Sequence, residues 1–254
     1  AHCSPQNHRV YCPTCQNPMT VLVVIPTYNE RENLPLLVPA VLAHGYQVLI
    51  VDDGSPDGTG QVADELSREH PGKVSVLHRN GLKGLGRSYL EAFSQVIRSN
   101  ADVICQMDAD LSHDPKHLPE MVSAVTEQFD LVIGSRYLEG GAILNWPWHR
   151  ILLSSLANGY IRRITALSTL DCTSGFRCWR RDVLARLPLE RIVSDGYSFL
   201  VETLFEAERI GCRIGEVPIV FVERRRGRSK LTFGVLFESL ITPWRMILRR
   251  NARE

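Results

Sequence analysis

Short runs of aliphatic and β-branched residues recur along the first half of the chain: TVLVVIP (20–26), YQVLIVDD (46–53), KVSVLH (73–78), ADVICQMD (101–108) and DLVIGS (130–135). Segments with apolar residues at helical spacing lie between them, near 30–44, 60–70, 87–99 and 115–128. Strand and helix alternating at this spacing predict an α/β fold with a mostly parallel sheet. The fourth helical segment is the clearest, with Leu118, Met121, Val122 and Val125 at i, i+3, i+4 and i+7. Asp114 can cap it and Pro115 suits its first turn. The acidic stretch MDADLSHDP (107–115) therefore falls between the carboxyl end of a strand and the start of a helix. Open α/β sheets bind ligands at that position.

Beyond residue 140 the pattern changes. Residues 141–165 mix two tryptophans, aliphatic residues and arginines without a periodic strand, and a similar mixture returns at 231–250. Apolar faces edged by Trp and Arg characterise helices that lie in a membrane interface. Packing of the first segment on the sheet is the equal alternative, whereas the second reads as interfacial.

At 254 residues the chain has room for one large domain, or a domain with an appendage. An apolar fraction of 44% and a charged fraction of 22% are those of a soluble globular protein. The net charge of +1 hides an asymmetry: residues 1–130 hold 9 Lys and Arg against 16 Asp and Glu, and residues 131–254 hold 20 against 12. An acidic half facing a basic half can hold a metal and a polyanion between them. Seven cysteines without framework spacing favour a reducing compartment. No run of about 18 apolar residues offers a membrane span, and the polar N-terminus does not resemble a signal peptide. Cys12 and Cys15, with Cys3 upstream, form at most half a zinc site. Residues 1–19 are accordingly read as an appendage.

Four constellations carry candidate chemistry. In VDDGSPDGTG (51–60), Asp52 and Asp53 end a strand before a strong turn, and Asp57 or Thr59 can cap the next helix. A carboxylate there can accept N–H groups of a nucleobase or bind a metal. Asp108 and Asp110 form a D-x-D pair whose side chains share one side of an extended chain. Two carboxylates completed by phosphate oxygens suit Mg²⁺ or Mn²⁺ better than zinc. Gly81, Gly84 and Gly86 precede a helix and allow close backbone approach to a phosphate or sugar, although their spacing is not that of a dinucleotide site. Arg136, Arg150 with Ser154 one turn later, and ERRRGRSK (223–230) form an anion-binding set. Nucleic acid is disfavoured, because no recognised motif or strong positive charge accompanies them.

The ordered motifs IPTYNE (25–30), VDDGSPDGT (51–59), GLGRSYLEAF (84–93), MDADLSHDP (107–115), GSRY (134–137), DCTSGFRCW (171–179) and IGEVPIVFVERRRGRSKL (214–231) resemble those of the dolichol-phosphate (polyprenol-phosphate) mannosyltransferases, inverting glycosyltransferases of family 2. The resemblance implies a GT-A fold, a Rossmann-like and mostly parallel mixed sheet with flanking helices, over residues 20–232, followed by C-terminal amphipathic helix at 233–254. It implies that Pro26, Tyr28, Glu30, Val51 and Asp53 line the guanosine pocket, that Asp108 and Ala109 approach the donor, and that Asp110 holds the metal, Mg²⁺ or Mn²⁺. Ser112 stands where many relatives carry a metal-binding Gln; the shorter Ser would pass that contact to water. Arg136, Arg150 and Ser154 resemble the grip on the acceptor phosphate, with Arg224 and Lys230 closing over the anionic centre.

The reaction so implied takes mannose from GDP-mannose to dolichyl or polyprenyl phosphate with inversion. Such an acceptor, a phosphate monoester with a second pKa of about 6, needs little help from a base. His113, His117 and His149 are therefore read as structural or surface residues. The relatives without transmembrane helices reach the membrane surface through a partner subunit, a separate membrane domain or an amphipathic end. The expected location is cytoplasmic and peripheral, on the cytoplasmic face of the endoplasmic reticulum or of the bacterial membrane. A polyprenyl-phosphate glucosyltransferase using UDP-glucose is the nearest alternative. A receiver-like phosphoacceptor module leaves the D-x-D pair unexplained, and an inactive sugar-nucleotide-binding scaffold leaves both acidic clusters idle.

Overall fold

The computed structural model describes residues 19–223 and 240–248. Its elements follow the alternation of the sequence: β1 (Val21–Thr27), α1 (Leu34–Leu42), β2 (Gln47–Asp52), α2 (Thr59–Glu69), β3 (Val74–His78), α3 (Leu85–Val96), β4 (Val103–Gln106), α4 (Leu118–Glu127) and β5 (Leu131–Ser135). Then come β6 (Ala142–Leu144), α5 (Trp148–Thr165), β7 (Arg177–Arg180), α6 (Arg181–Leu184), α7 (Gly196–Arg209), β8 (Ile214–Pro218) and β9 (Val220–Val222). Residues 240–248 are helical.

Seven strands form one sheet in the order β3-β2-β1-β4-β7-β5-β8, parallel except for β7. Strands β6 and β9 form a separate parallel pair. Alternate residues of β1 explain why its apolar run is unbroken. Val23 and Ile25 pack under α1 and α4, while Leu22 and Val24 pack under α3 and α7. A strand covered on both faces has no polar side to present. Each fully buried aliphatic side chain contributes about 1.5–3 kcal/mol relative to exposure.

Local chemistry terminates these elements where the ligand edge begins. Asp114 accepts from the Lys116 N–H at 3.0 Å and caps a single 3₁₀ turn, Pro115–His117, that leads into α4. Pro26 sits near the end of β1, beyond Val24, where the pairing with β4 stops, so its missing N–H leaves no partner unsatisfied. Cys105, Cys172, Cys178 and Cys212 are free thiols.

Strand β7 and the β6–β9 pair escape the sequence pattern. FRCWR carries two arginines, yet Arg177, Cys178 and Trp179 are wholly buried within the sheet. The polar heads are satisfied locally: Trp179 Nε1 donates to Gln106 Oε1 at 2.7 Å, and the Arg177 guanidinium is hydrogen-bonded throughout.

On the α3 face, Tyr89 stacks parallel to Phe199 at 5.7 Å, and Phe93 lies 6.4 Å from the same ring. Truncation in so closed a cluster leaves a cavity. Phe199→Ala is expected to lose about 3–5 kcal/mol, read as a lower urea midpoint at unchanged m-value. A loss below about 1 kcal/mol would show that α7 is not locked to α3 through this ring.

Candidate active site

The carboxyl ends of β1, β2 and β4 bring IPTYNE, VDDGSPDGT and MDADLSHDP to one edge of the sheet. At the end of β2, Asp52 and Asp53 take different partners. The Ser55 N–H donates to Asp52 Oδ1 at 3.3 Å, which shapes the turn. Asp53 pairs with Arg79 and accepts from the Gly84 N–H at 2.8 Å. Arg79 is buried and also donates to Glu91, Ser88 and the Leu82 carbonyl, so it fastens the β3–α3 loop to the end of β2. The expected nucleoside-pocket residue Asp53 is thus also the anchor of that loop.

Pro26 and Val51 lie opposite one another in the β1–β2 ladder, beside Tyr28. Lys83 reaches across to it: Nζ donates to the Tyr28 hydroxyl at 3.2 Å and to the Gly54 carbonyl at 3.1 Å, and lies 4.3 Å from the Tyr28 ring centre. Glu30 is held by its N–H on Thr59 Oγ1 and by Asn33 on its carboxylate. Asp57 accepts the first N–H of α2, from Thr59, at 3.0 Å. Gly84 and Gly86 do give close approach, but to a protein carboxylate. The Gly86 N–H donates to Asp195 Oδ1 at 2.7 Å, and a Cβ on Gly84 would collide with the same side chain.

In the acidic loop, the Asp108 N–H donates to His113 Nδ1 at 3.1 Å. Asp110 Oδ1 accepts from both the N–H and the hydroxyl of Ser112, at 3.1 and 2.5 Å. Leu111 makes the bend between them with φ of 63°. Ala109 is buried below, and Gly175 lies against Asp108, where a Cβ would stand 3.4 Å from Oδ1. Ser112 is buried and turned onto Asp110, its hydroxyl donating to that carboxylate. Among the described residues no group of three or more His, Cys, Asp or Glu could enclose a metal. Asp108 and Asp110 fit a cation that takes its remaining ligands from a diphosphate and water, as Mg²⁺ and Mn²⁺ do.

Burial pushes the His113 pKa down to about 4, with Arg136 adding to the shift against the carboxylates of Asp110 and Asp171. Its ring stacks on Phe176 at 4.9 Å. His117 accepts from the Val220 N–H at 3.3 Å. Both rings are occupied as acceptors, in keeping with a structural role.

The anion-binding set assembles around aromatic rings. Arg136 donates from Nε and Nη2 to the two oxygens of Asp171 at 2.7 and 2.8 Å, and from Nη2 to Thr173 at 2.8 Å. The Trp146 ring lies between the cations, 5.7 Å from the guanidinium of Arg136 and 3.9 Å from that of Arg150. Arg150 pairs with Glu223 at 2.6 Å, and Ser154 accepts from the Tyr137 hydroxyl at 2.7 Å. Arg136, Arg150 and Ser154 are therefore neighbours, as expected from the sequence, but each is already partnered. Arg224 and Lys230 lie outside the described residues, as do Cys3, Cys12 and Cys15.

Residues 22–187 match the family described as glycosyl transferase family 2. The chain belongs to this family. The resemblance to the polyprenol-phosphate mannosyltransferases is borne out. This family 2 glycosyltransferase is 45% identical to the polyprenol monophosphomannose synthase of Mycolicibacterium smegmatis, over 86% of its own length and 83% of the relative's. It is 44% identical to the undecaprenyl-phosphate mannosyltransferase of Micrococcus luteus, over 91% and 96%. The dolichol-phosphate mannosyltransferase of Pyrococcus furiosus is 37% identical over 90% of the chain and 64% of that protein. Glucosyl-3-phosphoglycerate synthase from Mycobacterium tuberculosis, solved with Mn²⁺, uridine diphosphate and glucosyl-3-phosphoglycerate, shares the GT-A fold with a TM-score of 0.65 at 17% identity, over 91% of this chain and 80% of that one.

Nothing in the sequence pattern marks Lys83 or Arg79; Asp171 lies inside the motif DCTSGFRCW, which leaves its role open, and Trp146 reads from sequence as one of the tryptophans of a candidate interfacial segment. The Asp171 carboxylate, although burial pushes its pKa up, is held below the ordinary 3.8 by the Arg136 guanidinium and its hydrogen bonds. A native pKa below the unfolded one contributes stability above pH 3.8 that is lost as pH falls through the native value. Asp171→Asn is expected to lower stability at neutral pH by about 3–5 kcal/mol, since the buried Arg136 loses its Asp171 carboxylate. Urea midpoints between pH 3 and 7 should also lose one proton's worth of acid dependence; an unchanged acid slope would contradict the pairing.

Proposed function

We propose that the protein transfers mannose from GDP-mannose to a polyprenyl or dolichyl phosphate, inverting the anomeric centre to give the β-mannosyl phosphate. The observation that carries this reading is the placement of the D-x-D carboxylates and the Arg136–Trp146–Arg150 set on either side of the segment 171–176. The mannosyltransferases named above, similar over nearly the whole chain, support the sugar and the lipid phosphate.

In this reading Tyr28, Lys83 and Asp53 receive the nucleoside and its phosphates. Asp108 and Asp110 hold Mg²⁺ or Mn²⁺, whose chemistry is to neutralise charge on the leaving diphosphate. Ser112 keeps Asp110 turned correctly. Arg136, oriented by Asp171, and Arg150, oriented by Glu223, are cations fixed before substrate arrives, so they stabilise developing charge without reorganising. An acceptor phosphate oxygen attacks the anomeric carbon from the face opposite the diphosphate. The bond from that carbon to the diphosphate oxygen breaks, and its electron pair leaves with the diphosphate. The dianionic acceptor requires no base, which accords with histidines committed to backbone N–H groups.

Purified protein should transfer radiolabelled mannose from GDP-mannose to a short polyprenyl phosphate in the presence of Mn²⁺. GDP with Mn²⁺ should raise the melting temperature more than UDP with Mn²⁺. Asp110→Asn should lower transfer by at least about 10³-fold at unchanged fold. Transfer from UDP-glucose in preference would replace this reading with a glucosyltransferase.

The lipid surface has a docking place beside the phosphate grip. Trp148, Leu152 and Leu156 form an exposed stripe at i, i+4 and i+8 on α5, with Trp148 75% and Leu156 62% exposed. Leu240, Trp244 and Leu248 repeat the stripe on the 240–248 helix. The two helices are joined where Tyr160 donates to the Leu240 carbonyl at 2.7 Å and accepts from Trp244 at 2.9 Å. Among the described residues no helix is long and apolar enough to cross a membrane. Peripheral binding at the cytoplasmic face through these stripes follows as part of the proposal. Leu156→Ser and Leu152→Ser should each weaken co-sedimentation with anionic vesicles by on the order of tenfold. Unchanged sedimentation of the double variant would move the docking surface elsewhere.

A further inference from the structure

Arg177 is wholly buried, and among the described residues no carboxylate pairs with it. Its donors go to neutral acceptors: Nε to the Ser174 carbonyl at 2.8 Å, Nη2 to the Cys172 carbonyl at 3.1 Å, and Nη1 to the Leu200 carbonyl at 2.8 Å and Thr203 Oγ1 at 3.0 Å. Burial pushes its pKa down to about 10, so it remains a cation at neutral pH. A hydrophobic residue of similar volume would fill this space at lower electrostatic cost. What the guanidinium supplies in return is geometry, because a planar fork sets several acceptors at once.

The acceptors belong to two bodies. Cys172 and Ser174 lie in the segment 171–176, and Leu200 and Thr203 lie on α7. The segment touches both halves of the site. Asp171 orients Arg136, and Gly175 lies against Asp108. It is also secured along its length, where the Asp171 N–H donates to Glu216 at 3.0 Å, the Cys172 N–H to Asn158 at 2.8 Å, the Ser174 hydroxyl to the Gly134 carbonyl at 2.6 Å and the Gly134 N–H to the Phe176 carbonyl at 2.8 Å, whereas the Arg177 fork ties it to α7. Strand β7 pairs Arg177 with Gln106, two positions before Asp108, so the backbone that carries the fork adjoins the strand that leads into the acidic loop.

We propose that Arg177 is a positioning residue for glycosyl transfer, setting through the segment 171–176 the separation of Asp108 from Arg136 across the reacting centre. This rests on the mannosyl-transfer reading above. Mispositioning of this kind changes the chemical step more than ground-state binding, because both halves still receive their own substrate.

The test compares Arg177→Lys, Arg177→Met and Val125→Ala, with transfer kinetics, the melting-temperature shift by GDP and Mn²⁺, and urea unfolding measured on each. In Arg177→Lys and Arg177→Met, kcat per folded molecule should fall about 100-fold, while both KM values and the GDP–Mn²⁺ shift stay close to wild type. Val125→Ala, a buried truncation on the opposite face of the sheet from the fork, should lose stability and keep kcat. Near-wild-type kcat in folded Arg177→Lys or Arg177→Met would overturn the proposal. So would failure of both variants to fold, which would make the residue structural. A wild type that transfers no mannose would instead overturn the functional reading, whatever the variants do.

Discussion

Insertion of β7 between β4 and β5, antiparallel to both, is the constraint on which the site depends. In a sheet otherwise parallel, every other strand leaves its carboxyl end at the ligand edge. A reversed strand instead begins there. The segment 171–176 therefore arrives at the edge where the acidic loop emerges, and Gly175 can lie beside Asp108 while Asp171 meets Arg136. Had β7 been parallel, that segment would stand at the opposite edge, and the two halves of the site would have no common wall.

The charges are arranged more tightly than a basic half facing an acidic half suggests. Asp53 with Arg79, Asp171 with Arg136 and Glu223 with Arg150 are ion pairs in place before any substrate. Each pairing holds a guanidinium in one orientation, and aromatic rings restrict those of Arg136 and Arg150 further. In the proposed transfer, cations fixed in this way avoid the reorganisation that solvated side chains would undergo as charge develops on a diphosphate. Arg177 extends the same logic into the core, with carbonyl oxygens in place of carboxylates.

The histidines complete the picture by what they are committed to. His113 accepts an N–H from Asp108 and His117 one from Val220, so both stabilise backbone around the acidic loop. A reaction whose nucleophile is already a dianion has no need of them as bases. The same burial that lowers the His113 pKa fits it to this supporting place.

Much of the frame was legible along the chain. The strand–helix alternation, the cap at Asp114 and the position of Asp108 and Asp110 at a strand end are local properties, written in hydrophobic spacing and turn chemistry. Strand β7 was not legible, because a short segment holding two arginines satisfies its polar heads only after folding. The turning of Ser112 onto Asp110 escaped for a related reason: a serine hydroxyl two residues from a carboxylate can face either way until packing chooses. By itself the sequence determined the α/β frame and which edge carries the carboxylates. Only the tertiary structure decided their partners, since Arg79 with Asp53, Arg136 with Asp171 and Arg177 with α7 meet through strand order and helix packing, which no local pattern encodes.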